Sequence, residues 1–316
     1  MIERRAFIQG TALAVLASPL LTEARPAAAR SVPRIGVLGD VSPIPWTLKT
    51  SAVELECRWA EGGRDRLLEL AAELAKLEVD VIVAAGAGPT RAAKIVTKTI
   101  PIVFIAGGDP VGEGFVASAA QPGGNVTGLS VPSEAEITGQ RLRLLGLAVP
   151  GVGRVAVLSN PDNPSSEHVL GHLRGTAGQG VEVRAFEARS VEEVERAFTA
   201  IGAEDIDGLL VLPDALFAIH ARRVVDLAAE SRLPAAYGAR SFTEAGGLMS
   251  LYGDTAEVIR RTTAMVGRIL AGSAPATLPV ETLTHVALTV NAGTARALGL
   301  ALPHSLLARA DTVIGA

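Results

Sequence analysis

Beyond residue 54 the chain alternates continuous apolar runs with segments of helical period. "ELECRW" (54–59) reads as a strand. "RDRLLELAAELAKL" (64–77) puts Leu67, Leu70, Leu74 and Leu77 on one helical face. "DVIVAAG" (80–86) and "IPIVFIAGG" (100–108) are unbroken apolar runs ending in glycine, the pattern of strands buried on both faces. "PTRAAKIVTK" (89–98) predicts a helix between them with Pro89 near its start, and a short helix is expected near 111–119 before the strand "GNVTGLS" (124–130).

The rhythm then restarts. Helices are predicted at 134–148, 164–177, 191–202, 215–232 and 255–271, and strands at 153–160, 181–188, 207–214, 233–239, 246–253 and 285–291, before a short C-terminal helix. Strand–helix alternation with apolar strands implies parallel sheets covered by helices on both faces. Two rounds imply an α/β protein of two doubly wound lobes: 31–128 with about 253–284, and 129–252 with about 285–316. Open α/β sheets bind ligands beyond the carboxyl ends of their strands, so a ligand cleft between the lobes is expected, with hinge closure on a small molecule.

Composition narrows the partners. The net charge is −4, aromatics are 3%, and no Lys/Arg stripe forms, which argues against nucleic acid. The single cysteine, Cys57, forms no internal disulfide and no Cys-based metal site, and its place in the alternation Leu55, Cys57, Trp59 reads as a small buried side chain. The first thirty residues look unlike the rest. Arg4 and Arg5 precede an apolar core from Thr11 to Leu21, and Ala27-Ala28-Ala29 suits signal cleavage. "RRAFI" resembles the twin-arginine export pattern, and an ordinary charged n-region is the alternative. The apolar core is too short to span a bilayer. With no cysteine close after it for a lipid anchor, a soluble exported protein is expected.

Candidate chemistry gathers after the strands. "GAGPT" offers Gly86, Gly88 and Thr90 at a helix start, where backbone N–H groups favour an anion; a tight turn with a cap is the equal alternative. It is neither a Walker loop nor a dinucleotide fingerprint. Asp109 follows the next strand, Asn160 and Asn163 stand in "NPDNPSS", and Asp214 in "PDALF" either caps a helix or faces an amine. Tyr237 follows another strand. No nucleophile elbow occurs. His168 and His172 lie four apart on a predicted helix with no third ligand evident, so no metal and no cofactor is expected. An exported enzyme using Asp109 or His168 is the alternative class.

The stretch from "RWAEGG" to "GGNVTGLS", with "RVAVLSNPDNPSS", "DGLLVLPDALF", "GGLMSLYGD" and the ending "ALTVNAGTARALGLALPHSLLARADTVI", closely resembles the substrate-binding proteins of ABC transporters in the tryptophan/tyrosine-uptake-like family. The resemblance runs from about Ala52 to the end. It implies a type I periplasmic-binding-protein fold, a monomer in the periplasm, small organic solutes (aromatic amino acids in some members) and membrane permease subunits as partners. It implies that Thr90 and the Gly86–Gly88 turn bind a carboxylate, that Asp214 and Asp109 meet an amino group, and that Asn160, Asn163 and Tyr237 complete the cleft.

One segment departs from that family. Residues 40–53 replace what the family builds as a helix, although a parallel βαβ unit spans roughly 30 residues. Pro43 and Pro45 leave room for about two helical turns at most. The expectation is a first lobe without its full first helix and with one face of its sheet thinly covered; a family member with an impaired site is the reading that follows if the loss matters.

Overall fold

The computed structural model describes residues 32–39, 47–49, 52–60, 64–163, 165–176 and 180–315. The export segment read over 1–30 lies outside them. The chain divides into two compact units, one running to Ser133 and resuming at Asp254–Thr284, the other made of Glu134–Gly253 and His285 onward.

The first unit is built on β1 (Arg34–Gly39), β2 (Thr47–Lys49), β3 (Glu54–Trp59), β4 (Val81–Ala85), β5 (Ile102–Gly107), β6 (Val126–Val131) and β12 (Glu281–Thr282), in the order β12-β6-β5-β4-β1-β3-β2. All pair in parallel except β2, which lies antiparallel to β3. Apolar side chains alternate between faces. Leu38, Ile82 and Phe104 pack with Leu67, Leu70 and Leu74 of the helix Arg64–Lys76, while Ile35, Val81 and Val103 pack with Met265, Val266 and Ile269 of the helix Thr255–Leu270. Each large side chain so buried contributes about 1.5–3 kcal/mol.

The connection from β1 to β3 holds the segment that departs from the family the sequence resembles. No helix stands at 47–49. The chain instead adds β2 at the sheet edge, with Thr47 opposite Glu56 and Lys49 opposite Glu54. β1 and β3 are parallel neighbours, so the chain must run backwards between them; β2 is the described part of that return and pairs in the sheet, while residues 40–46, 50 and 51 lie outside the described residues. The cross-strand neighbours Val37 and Cys57 are only half-buried, whereas Leu38 on the other face is fully buried.

The short helix expected near 111–119 does not form. Asp109 Oδ1 accepts from Val111 N (2.9 Å), Gly114 has φ 69°, and the segment closes as turns held by Lys94 Nζ donating to Phe115 O (2.9 Å).

The second unit carries β7 (Arg154–Ser159), β8 (Glu182–Glu187), β9 (Gly208–Val211), β10 (Ala235–Tyr237), β11 (Met249–Gly253), β13 (Val286–Asn291) and β14 (Thr312–Ile314), in the order β14-β13-β11-β10-β9-β7-β8. β13 is antiparallel to β11, which the strand–helix rhythm did not foresee; the remaining ladders are parallel. The helix Val191–Gly202 shows how its cover forms: Val194, Ala197, Phe198 and Ile201 at helical spacing are buried, and Ser190 caps its start by accepting from Glu193 N. The helix expected over 215–232 divides at His220 into Ala215–Ile219 and Ala221–Glu230, both with their apolar side to the sheet.

Candidate functional site

In the second unit the carboxyl ends of β7 and β9 are level, Leu158 being paired with Val211. The loops that leave them therefore start side by side. Asn160 Nδ2 donates to Asp214 Oδ1 (3.2 Å), and Asn163 Nδ2 donates to Asp214 Oδ2 (3.0 Å) and to Pro213 O (3.2 Å). Leu216 N donates to Asp214 Oδ1 (2.9 Å), so Asp214 is the N-cap of the next helix. The Asn160 loop is itself closed by Asp162 N and Ser166 Oγ, which donate to Asn160 Oδ1 (3.0 Å) and Asn160 O (2.7 Å). A carboxylate offers about four acceptor positions. Three are occupied here, so Asp214, half-buried, is held rigidly with capacity for one further donor.

Tyr237 does not join them. It ends β10, but its side chain is 1% exposed and its ring stacks on Phe242 at 4.7 Å. Its Cε2 lies 2.6 Å from where a Cβ on Gly247 would sit, and Gly247 precedes β11, so the ring runs toward the amino ends of the strands. Burial pushes its phenol well above the ordinary value.

In the first unit Gly39, Ala85 and Ile105 are in register, and β5 and β6 end together at Gly107 and Val131. Gly86, with φ 116°, turns the chain from β4 straight into the helix Ala87–Val96. No side chain caps that helix, and Pro89 carries no N–H, so the amides of Ala87 and Gly88 are the first-turn donors. Thr90 is fully buried and its hydroxyl donates to Gly86 O (2.6 Å), which commits its side chain to the turn. Asp109 is exposed beyond β5, with one oxygen on Val111 N. Gly86, Gly88 and Asp109 thus share one edge of the sheet.

One polar network was not read from the sequence. Glu134, Thr138 and Arg141 lie along one face of the helix Glu134–Ala148; Arg141, 1% exposed, donates to Leu251 O (2.8 Å), to Thr138 Oγ1 (2.7 Å) and to Glu134. The spacing i, i+4, i+7 was the available signal. Among the described residues no group of three or more His, Cys, Asp or Glu stands together to hold a metal ion, and no helix is long and apolar enough to cross a membrane.

Residues 47–314 match the family described as ABC transporter substrate binding protein. The tyrosine-binding protein of Clostridioides difficile (strain R20291) is 25% identical over 249 residues, 78% of this chain and 71% of that protein. A conserved domain protein from Vibrio cholerae superposes with a TM-score of 0.66 at 27% identity, covering 89% of this chain and 99% of that one. An ABC domain from Streptococcus pneumonia in complex with L-Trp superposes at 0.64 with 25% identity, covering 90% of this chain and 100% of that one.

Proposed function

The chain belongs to the ABC transporter substrate-binding protein family, and from that premise we propose that its ligand is an amino acid or a closely related small molecule bearing both an amine and a carboxylate. Proteins of this family bind small solutes and work with membrane permease components. The observation that carries the finer reading is Asp214: a carboxylate at the strand ends, fixed by two asparagine amides, with room for one more donor. An ammonium group matches it in charge and hydrogen-bonding sense. The amides of Ala87 and Gly88 at an uncapped helix start suit a carboxylate. Two matches at 25% identity carry names that state tyrosine and L-Trp as ligands, which supports the same chemistry, whereas structural neighbours at 12–14% identity hold sugars and 5-methylthioribose. In this reading residues 1–30 export the chain, and it acts as a soluble monomer in the periplasm, handing its solute to the permease without chemical change.

Thermal-shift and calorimetric titration with the L-amino acids test it. A ligand at 100 times its Kd adds about 2.7 kcal/mol to stability. Asp214→Asn is the decisive variant, because asparagine still caps the helix but carries no charge. A hydrogen bond to a charged group is worth about 1.5–3 kcal/mol, so amine-bearing solutes should bind at least about tenfold more weakly; the free protein should melt lower but stay folded by circular dichroism, because the new Nδ2 cannot accept from Asn163. Unaltered affinity in Asp214→Asn removes the proposed role of Asp214, and no stabilisation by any amino acid removes the ligand class.

A further inference from the structure

The second unit holds a cavity of about 250 Å³ that the strand-end site does not use. Val225, Leu233, Leu248 and Leu298 form its apolar wall, and Tyr237, Arg232 and Thr294 are its polar members, the Thr294 hydroxyl being committed to Gly246 O (2.7 Å). Leu233 lies two residues before β10 and Leu248 one residue before β11, so the cavity lies at the amino ends of those strands, the opposite end from Asn160, Asn163 and Asp214.

Two observations point to a ligand. First, Tyr237 is 1% exposed and lines this cavity, yet its hydroxyl has no hydrogen-bond partner among the described residues. That oxygen is not among the described buried polar atoms that lack a partner, so solvent reaches it, and it is free to donate to a molecule in the cavity. Second, Arg232 at the rim is exposed and pairs with no carboxylate among the described residues. An apolar wall with one inner donor and one cation at the mouth selects a molecule apolar in the middle and polar at both ends. An apolar cavity near 150 Å³ takes benzene, so this volume suits a single substituted ring.

We propose that this cavity is a second small-molecule site, taking a single-ring carboxylic acid with an oxygen substituent at the far end: the ring against Val225, Leu233, Leu248 and Leu298, the inner oxygen on Tyr237, and the carboxylate at Arg232. The site is independent of the solute carried at the strand ends. It lies within one unit and needs no residue of the other.

Calorimetry and ligand-observed NMR on the full chain test it, with 4-hydroxybenzoate, benzoate and phenol as probes. The expected order of affinity is 4-hydroxybenzoate first, with each single-function probe weaker. Tyr237→Phe keeps the stacked ring and removes only the hydroxyl; it should weaken 4-hydroxybenzoate by roughly tenfold and leave benzoate unchanged. Ala229→Phe fills the rim from an exposed helix position and should abolish binding of all three, with the fold intact by circular dichroism. Asp214→Asn should leave all three unaffected. Binding by none of the probes to the folded chain, or binding that both Tyr237→Phe and Ala229→Phe leave unchanged, overturns the proposal: the first result marks the cavity as holding water only, the second places the probes elsewhere.

Discussion

Cys57 shows how much a single residue's surroundings decide. Its sequence context, an alternating strand, marks a packed side chain, and the structure places it half-buried on β3 beside the core of the first unit. Burial pushes its thiol from the ordinary 9.0 up to about 11, against the opposing pull of the Arg58 charge and with a smaller push from Glu56. The thiolate is the reactive form, so Cys57 is inert at neutral pH. Iodoacetamide at pH 8 should alkylate the native chain at least about tenfold more slowly than the urea-unfolded chain; equal rates would exclude the burial. The sign of the pH effect follows. The folded state holds this proton more tightly than the unfolded state, so the contribution to stability is intact below about pH 9 and is lost as the pH rises toward 11. Residue types were readable at the strand-end site as well: Asp214 as a cap or an amine partner was stated from sequence, and the structure shows the cap directly. The direction of the Tyr237 ring was not readable, because it depends on Phe242 and Gly247, which come from later turns of the chain.

At the scale of elements, apolar period located most strands and helices to within a few residues, because burial on one or both faces leaves a periodic trace. The exceptions are elements whose partners are distant. β2 and β12, of three and two residues, are too short to carry a pattern and exist because an edge was available to pair with. Pairing also sets where glycine is obligatory. Gly128 of β6 stands opposite Phe104 of β5, and a Cβ there would lie 2.2 Å from Phe104 O and 2.7 Å from its ring. The obstruction is backbone, so only separation of the two strands relieves it. Gly128→Ala should destabilise the first unit by about 3 kcal/mol or more, an overpacking cost at the severe end, read as a lowered urea midpoint. A midpoint within error of the parent protein would show that β5 and β6 can part without cost. Gly124, which has open space around its Cβ position, serves as the control and should tolerate alanine far better.

At the scale of the whole molecule, each unit is assembled from separated segments of chain. Glu134–Gly253 supplies five parallel strands, but β13 and β14 come from beyond residue 285. β13 pairs along the full length of β11, and Leu288 and Val290 are buried against the same core as Met249 and Leu251. A fragment of residues 134–253 expressed alone would expose that edge and lose this apolar cover, so it should show no cooperative thermal transition by circular dichroism, while 134–253 joined by a short linker to 285–316 should regain one. A cooperative melt of 134–253 alone would refute this dependence. The sequence by itself determined the α/β class, the alternation of strands and helices and the polar residues that follow the strands, since these rest on local period and on turn chemistry. Tertiary structure alone decided that β13 runs against β11, that the chain between β1 and β3 returns through an edge strand, that Asn160 and Asn163 converge on Asp214, and that Tyr237 turns to a cavity at the other end. Each of these is a contact between residues far apart along the chain, and local period carries no record of which distant neighbour a strand or side chain will meet.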